Sequence, residues 1–262
     1  MFNNFWFEAK NINCFKNGFR VFKDLNLKIA YSENVILIGP NGSGKSSLIE
    51  VINRNIYPVI AYESKLKIFD KELINLWELR KRISTVNNDI KNRINPNIKV
   101  FDLILSGLYG RYCCVQNKSE RDSYKVEKIM DKMNISNLSK KNFSYLSDGE
   151  KQISLIARAL IKKPEILILD EPIANLDYKS KFFLIDKVNE LSKLNTKILC
   201  VTHDISTITK IYDRVIMIKD GKIIADGDQN KVINSENLNK LYGIQVVSTK
   251  NKGHWDIKRL SK

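Results

Sequence analysis

The sequence predicts an α/β protein in which short buried strands alternate with helices and one helical insertion interrupts the alternation. Three observations carry that prediction. Val35-Ile36-Leu37-Ile38 and Ile166-Leu167-Ile168-Leu169 are short, wholly apolar runs, the pattern of strands covered on both faces. The first run ends in a glycine-rich loop and the second in two adjacent carboxylates. Between about Asn87 and Lys163 the apolar residues Leu103-Ile104, Leu108, Val126, Ile129, Met130 and Met133 recur at helical spacing.

The elements follow in order. Leu25-Asn26-Leu27-Lys28-Ile29 alternates and reads as a half-exposed strand. Val35–Ile38 is the first buried strand, and a helix is expected over Ser46–Asn53. Lys65–Phe69 and Arg82–Val86 are expected strands on either side of the Trp77 segment. Pro164 ends the helical insertion, because proline lacks the N–H a helix needs. Ile166–Leu169 is the next strand, Phe182–Leu194 an amphipathic helix and Lys197–Thr202 a strand. Arg214–Ile218 and Lys222–Ala225 flank Asp220-Gly221, a hairpin signal. The tail after about Gly227 is polar and carries no clear periodicity.

The chain has 262 residues, 43% hydrophobic and 28% charged, enough apolar material for a sizeable core and too much for wholesale disorder. Lys and Arg total 44 against 29 Asp and Glu, a net charge of +15. That excess admits a nucleic-acid or anionic-membrane partner without requiring one, and the lysines are spread rather than clustered. Cys14, Cys113, Cys114 and Cys200 form no CxxC pair, and His203 and His254 are the two histidines, so neither a zinc site nor a disulfide framework is expected. Met1–Lys10 has no basic lead or long apolar run, and no stretch reaches a membrane span, so a cytosolic chain is expected.

Gly39-Pro40-Asn41-Gly42-Ser43-Gly44-Lys45-Ser46 fits GxxxxGK[ST] between a buried strand and a helix, with Ser47 next. Glycines let successive N–H groups point at phosphate oxygens, and the helix start adds its positive end to the same anion. Lys45 can reach the β- and γ-phosphates, and the Ser46 hydroxyl can ligate Mg²⁺. Asp170-Glu171-Pro172 ends the second strand: Asp170 suits the Mg²⁺ shell, and Glu171, pointing elsewhere, suits polarisation of an attacking water.

Further segments resemble the motifs of ABC-type ATPases. Leu146-Ser147-Asp148-Gly149-Glu150-Lys151-Gln152 resembles the family's signature, Ala174-Asn175-Leu176-Asp177 its D-loop, and Val201-Thr202-His203-Asp204 its switch-histidine segment. The resemblance spans about Ile12 to Gly227. It implies a P-loop NTPase core with a mostly parallel sheet, an antiparallel β subdomain and an inserted α-helical subdomain. As domain organisation it implies one ATPase domain over residues 1–227, with the core at about 1–86 and 164–227, the insertion at about 87–163 and a tail at 228–262. It further implies ATP and Mg²⁺ bound between two ATPase domains, as in a homodimer.

The implied roles fall on particular residues. Ser147, Gly149 and Glu150 would address the γ-phosphate held by the other domain's phosphate loop, and Asp177 would tie the D-loop to the opposite site. His203 would contact the γ-phosphate and help hold the water, joining Glu171 and Lys45 as catalytic residues. Phe15 lies about where the family places the ring that stacks on adenine, with Phe19 and Phe22 as nearby alternatives. Two positions depart from the pattern: Asp148 stands where the signature has Gly, and after Ile83-Ser84-Thr85-Val86 the expected glutamine is replaced by Asn87-Asn88. Asn88 keeps the amide one methylene shorter, as the candidate Mg²⁺ contact.

Leu103-Ile104-Leu105-Ser106-Gly107-Leu108-Tyr109 is similar to a stretch found in ATPases grouped with iron-complex and molybdate importers. So are Ile216–Lys222, Ser235–Leu238 and Leu241-Tyr242-Gly243. The resemblance therefore implies an ATPase subunit that drives an integral membrane permease from its cytoplasmic face. The alternative is a soluble ABC ATPase acting on a macromolecule such as nucleic acid.

Overall fold

β-Branched and leucine side chains leave Val35–Ile38 no polar face, and all four residues are buried in a strand. A computed structural model describes residues 4–59, 61–110, 118–192, 195–251 and 253–259. In chain order the elements are β1 (Phe5–Lys16), β2 (Phe19–Ala30), β3 (Val35–Ile38), α1 (Lys45–Ile52), β4 (Lys65–Ile68), α2 (Leu76–Arg82), β5 (Ile83–Val86), α3 (Asp89–Arg93), α4 (Val100–Tyr109), α5 (Glu120–Lys132), α6 (Asp148–Leu160), β6 (Ile166–Asp170), α7 (Tyr178–Leu191), β7 (Lys197–Thr202), β8 (Arg214–Lys219), β9 (Lys222–Gly227), α8 (Gln229–Val232), α9 (Ser235–Tyr242), β10 (Val246–Asn251) and β11 (His254–Arg259). The helix expected over Phe182–Leu194 starts four residues earlier, at Tyr178, because Asp177 caps it; its expected end at Leu194 lies outside the described residues. So do Cys113 and Cys114, whereas Cys14 and Cys200 are buried thiols.

The chain forms two compact units, Met1–Arg80 with Lys197–Lys262, and Lys81–Thr196. In the first, β1 pairs antiparallel with both β2 and β4. Asn17 and Gly18 make the two-residue turn between β1 and β2 with φ of 50° and 81°, the positive values a type I′ hairpin needs. Trp6, Phe7, Ile12 and Phe22 are buried from this sheet, each burial contributing roughly 1.5–3 kcal/mol. β3 lies between β7 and β8, parallel to both, and β9 folds back antiparallel on β8. Buried Asn34 stitches the start of this parallel set: its Oδ1 accepts from Ile198 N at 2.9 Å and its Nδ2 donates to Ile211 O at 3.2 Å.

The tail that looked unpatterned is ordered. Asn234 caps α9, Leu238 and Leu241 are fully buried, and β10 and β11 form a hairpin. Its core comes from few residues, which is why no period shows in the sequence.

In the second unit β5 and β6 are parallel, and Arg82 at their start grips Glu165 with two bonds of 2.6 and 2.8 Å. Helices α3 to α6 occupy the stretch between these strands, and α4 packs against α6.

Candidate functional site

In the first unit the register pairs Ile38 with Thr202, so Gly39 and His203 leave neighbouring parallel strands at the same level. The carboxyl ends of parallel strands are where α/β folds bind ligands. The loop after β3 runs into α1 through Gly44, whose φ of 105° places the helix cap in the left-handed region. A β-carbon there would lie 3.1 Å from the Phe22 ring, so the loop is seated directly on the β2 core.

Lys45 opens α1 and is buried, its ammonium donating to Gly39 O at 2.7 Å and Pro40 O at 2.9 Å. Ser43 is 2% exposed, and among the described residues its Oγ has no hydrogen-bond partner. A buried hydroxyl in that state loses on the order of 1–3 kcal/mol, a cost a phosphate oxygen would relieve. Asn41, Gly42 and Ser46 are exposed, while Pro40 and Ser47 are half-buried. Solvent-side groups thus sit where a phosphate chain can reach them.

Of the three candidate rings near the β1–β2 turn, Phe22 belongs to the core, while Phe15 is 48% and Phe19 78% exposed. Phe15 pairs across the hairpin with Arg20, whose Cζ lies 6.0 Å from the ring centroid. The neighbouring Lys16 bonds both carboxylate oxygens of Glu50, at 2.9 and 2.7 Å, tying this hairpin end to α1. Beyond β7, Asp204 organises the loop after His203: its N–H donates to Thr202 Oγ1 at 3.0 Å and its Oδ1 accepts from Ser206 N at 2.9 Å.

In the second unit, Asp170 is the last residue of β6, half-buried with Oδ1 enclosed. Glu171 follows with φ of 49°. A non-glycine residue there stores roughly 1–3 kcal/mol, and such outliers cluster at working sites. Val86 pairs with Leu169, so Asn87 is the residue level with Asp170. Asn87 Oδ1 accepts from Ile90 N at 3.3 Å. Asn88 precedes α3, exposed and without a side-chain cap bond.

Ser147 caps α6 in a reciprocal box: its Oγ accepts from Glu150 N at 3.2 Å, and its own N–H donates to Glu150 Oε2 at 2.9 Å. Burial pushes the Glu150 carboxyl up, but the Ser147 N–H and the Lys141 charge outweigh it and leave it below its usual range. Asp148 lies in the first turn of α6, with its carboxylate largely exposed and 3.8 Å from Lys151. Asp177 caps α7, accepting from Ser180 N at 2.9 Å and Ser180 Oγ at 2.8 Å. Those two bonds hold its carboxyl below the usual range.

Ser180 is the residue the sequence reading passed over. It takes the Asp177 cap and also faces Gly149, where an added β-carbon would stand 2.7 Å from its Oγ. The Asp-x-x-Ser spacing of a helix cap, Asp177-Tyr178-Lys179-Ser180, was the available signal.

The sequence profile described as "ABC transporter" matches residues 22–174. The chain is 32% identical over 241 residues to the ABC transporter ATP-binding protein YmeB of Lactococcus lactis subsp. lactis, covering 90% of this chain and 92% of that one. It is 30% identical to the phosphonates import ATP-binding protein PhnC 2 of Oceanobacillus iheyensis, covering 91% and 96%. The fold is similar to that of cbiO1 from Clostridium perfringens, part of the ABC transporter complex cbiONQ, with TM-score 0.77, 24% identity and coverage of 91% and 94%. With the phosphate loop, the acidic strand end and the capped signature helix in place, the chain belongs to the ABC transporter family as an ATP-binding, ATP-hydrolysing subunit.

Proposed function

We propose that this subunit works as one of two identical copies closing on ATP, and that hydrolysis drives an importing membrane permease from the cytoplasmic side. The observation that carries the nucleotide part is the loop interior: a buried Lys45 ammonium held on loop carbonyls beside the buried Ser43 hydroxyl. A phosphate in the loop would offer acceptors to both groups. Among the described residues no helix is long and apolar enough to cross a membrane.

The roles follow from chemistry. Phe15 offers a π-face to adenine. N–H groups of residues 41–46 and the start of α1 receive the phosphates, and Lys45 neutralises them. The hydroxyl of Ser46 and the carboxylate of Asp170 are hard oxygen donors that fit Mg²⁺, which would screen the phosphate charge when bound; Asn88 is the weaker candidate for that shell. Glu171 accepts the water's proton and His203 holds the terminal phosphate and water in line. Ser147, Gly149 and Glu150 at the start of α6, and Asp177 at the start of α7, serve the site of the second copy.

The test is the full-length Glu171→Gln protein with saturating ATP and Mg²⁺. It should bind ATP, stop turning over and shift from monomer to dimer in sizing experiments. A protein that binds ATP but stays monomeric removes the closing-pair reading. Affinity purification from membranes should bring down a polytopic membrane protein. Turnover stimulated by DNA or RNA, and falling steeply with salt, would favour the macromolecular alternative.

A further inference from the structure

We infer that Tyr242 is a positioning residue for hydrolysis, holding the backbone of the His203 loop through a hydrogen bond from its phenol to the His203 carbonyl, 3.2 Å away. The inference rests on the reading of His203 as the residue that holds the terminal phosphate and water.

His203 is the first residue beyond β7 and its side chain is exposed. With little packing on the side chain itself, the place of the imidazole rests on the backbone of the loop that carries it. Side-chain bonds from Asp204 shape the chain after that peptide, and β11 lies against the short 3₁₀ turn Ile205–Thr207. The carbonyl itself is addressed from the end of α9. A fixed donor on that oxygen restrains the backbone at His203, and so the base from which the imidazole projects.

The donor stands on firm ground. Leu238 and Leu241 are fully buried, and Asn234 caps the start of α9 by accepting from Asn237 N at 2.9 Å. Lys219 of β8 donates to Lys240 O at 2.6 Å, and Asn239 Oδ1 accepts from Val246 N at 2.7 Å, joining α9 to the terminal hairpin. That hairpin is pinned in turn: buried Trp255 donates its indole N–H to Gln229 Oε1 at 3.1 Å, and Gln229 Nε2 donates to Tyr212 O at 3.3 Å. Tyr212 is buried and its phenol meets Cys200 of β7, three residues before His203. The C-terminal segment thus reaches the histidine loop twice, directly through Tyr242 and indirectly through the strand that feeds it. A tail with only a packing role would need the buried leucines and tryptophan but no phenol on a catalytic-loop carbonyl.

The test is steady-state ATP turnover by full-length Tyr242→Phe, His203→Ala and the double variant, with thermal melts of each. Removing one oriented hydrogen bond should lower kcat of Tyr242→Phe about fivefold, with KM for ATP and the melting temperature unchanged. In the His203→Ala background the same substitution should cause no further loss, because the group it positions is gone. Unchanged kcat in Tyr242→Phe, or an equal drop with and without His203, overturns the inference while leaving the His203 reading in place. Wild-type turnover by His203→Ala would overturn both.

Discussion

A β-carbon built on Gly149 would stand 2.7 Å from both Cβ and Oγ of Ser180, the residue that receives the Asp177 cap. The start of the signature helix α6 therefore touches the start of α7, with no room for even one methyl group. In the closing-pair reading, the residues that address the second copy from the signature and from the D-loop move together.

Gly149→Ala should cost about 1–3 kcal/mol of stability, since overpacking outweighs alanine's better helix propensity. Melting curves should show the loss, and adding Ser180→Gly should recover part of it. Full additivity of the two substitutions would remove the steric coupling.

Glu171→Gln should reduce kcat by roughly 10²–10⁴-fold while ATP affinity stays within a few-fold, because it removes a base and no phosphate ligand. Phosphate release and a nucleotide titration measure the two quantities separately. Turnover near wild type would take Glu171 out of the reaction.

Lys45→Ala removes the ammonium that the loop encloses between Gly39 O and Pro40 O. ATP binding should weaken by at least about tenfold, as expected for losing a charge-assisted contact to phosphate. An unaltered titration would refute the phosphate-loop assignment.

Burial raises the Cys14 thiol to about 11. The raised value means the folded state keeps its proton where the unfolded chain has lost it. This contribution to stability is complete below the unfolded value near 9 and is lost as pH rises through about 11. At pH 8 the folded protein should leave Cys14 unalkylated, read by peptide mass spectrometry, and denaturant should expose it. Rapid labelling of Cys14 in the folded state would contradict its burial.

Much of the site was legible because its chemistry is local. A phosphate loop needs its glycines and lysine within eight consecutive residues, and the strands on which Gly39 and Asp170 end declare themselves by being wholly apolar. The Asn17-Gly18 turn is equally local but was not among the hairpin signals read, and of the two long strands around it only Leu25–Ile29 was recognised. Their irregular register shifts break the alternation that would have announced them. The sequence offered Asn88 as the amide of this pair, but which of the two stands level with Asp170 depends on the pairing of β5 with β6, and that pairing sets Asn87 there.

By itself the sequence determined that a glycine-rich loop with a lysine leaves one wholly apolar strand and that two carboxylates close another, since each is a short run of consecutive residues. Only the tertiary structure decided that Phe22 lies beneath Gly44 and that Ser180 fits against Gly149. It alone decided that Tyr242, thirty-nine residues from His203, donates to that residue's carbonyl. Such relations depend on side chains brought together by packing, and no periodicity along the chain records which distant surfaces will meet.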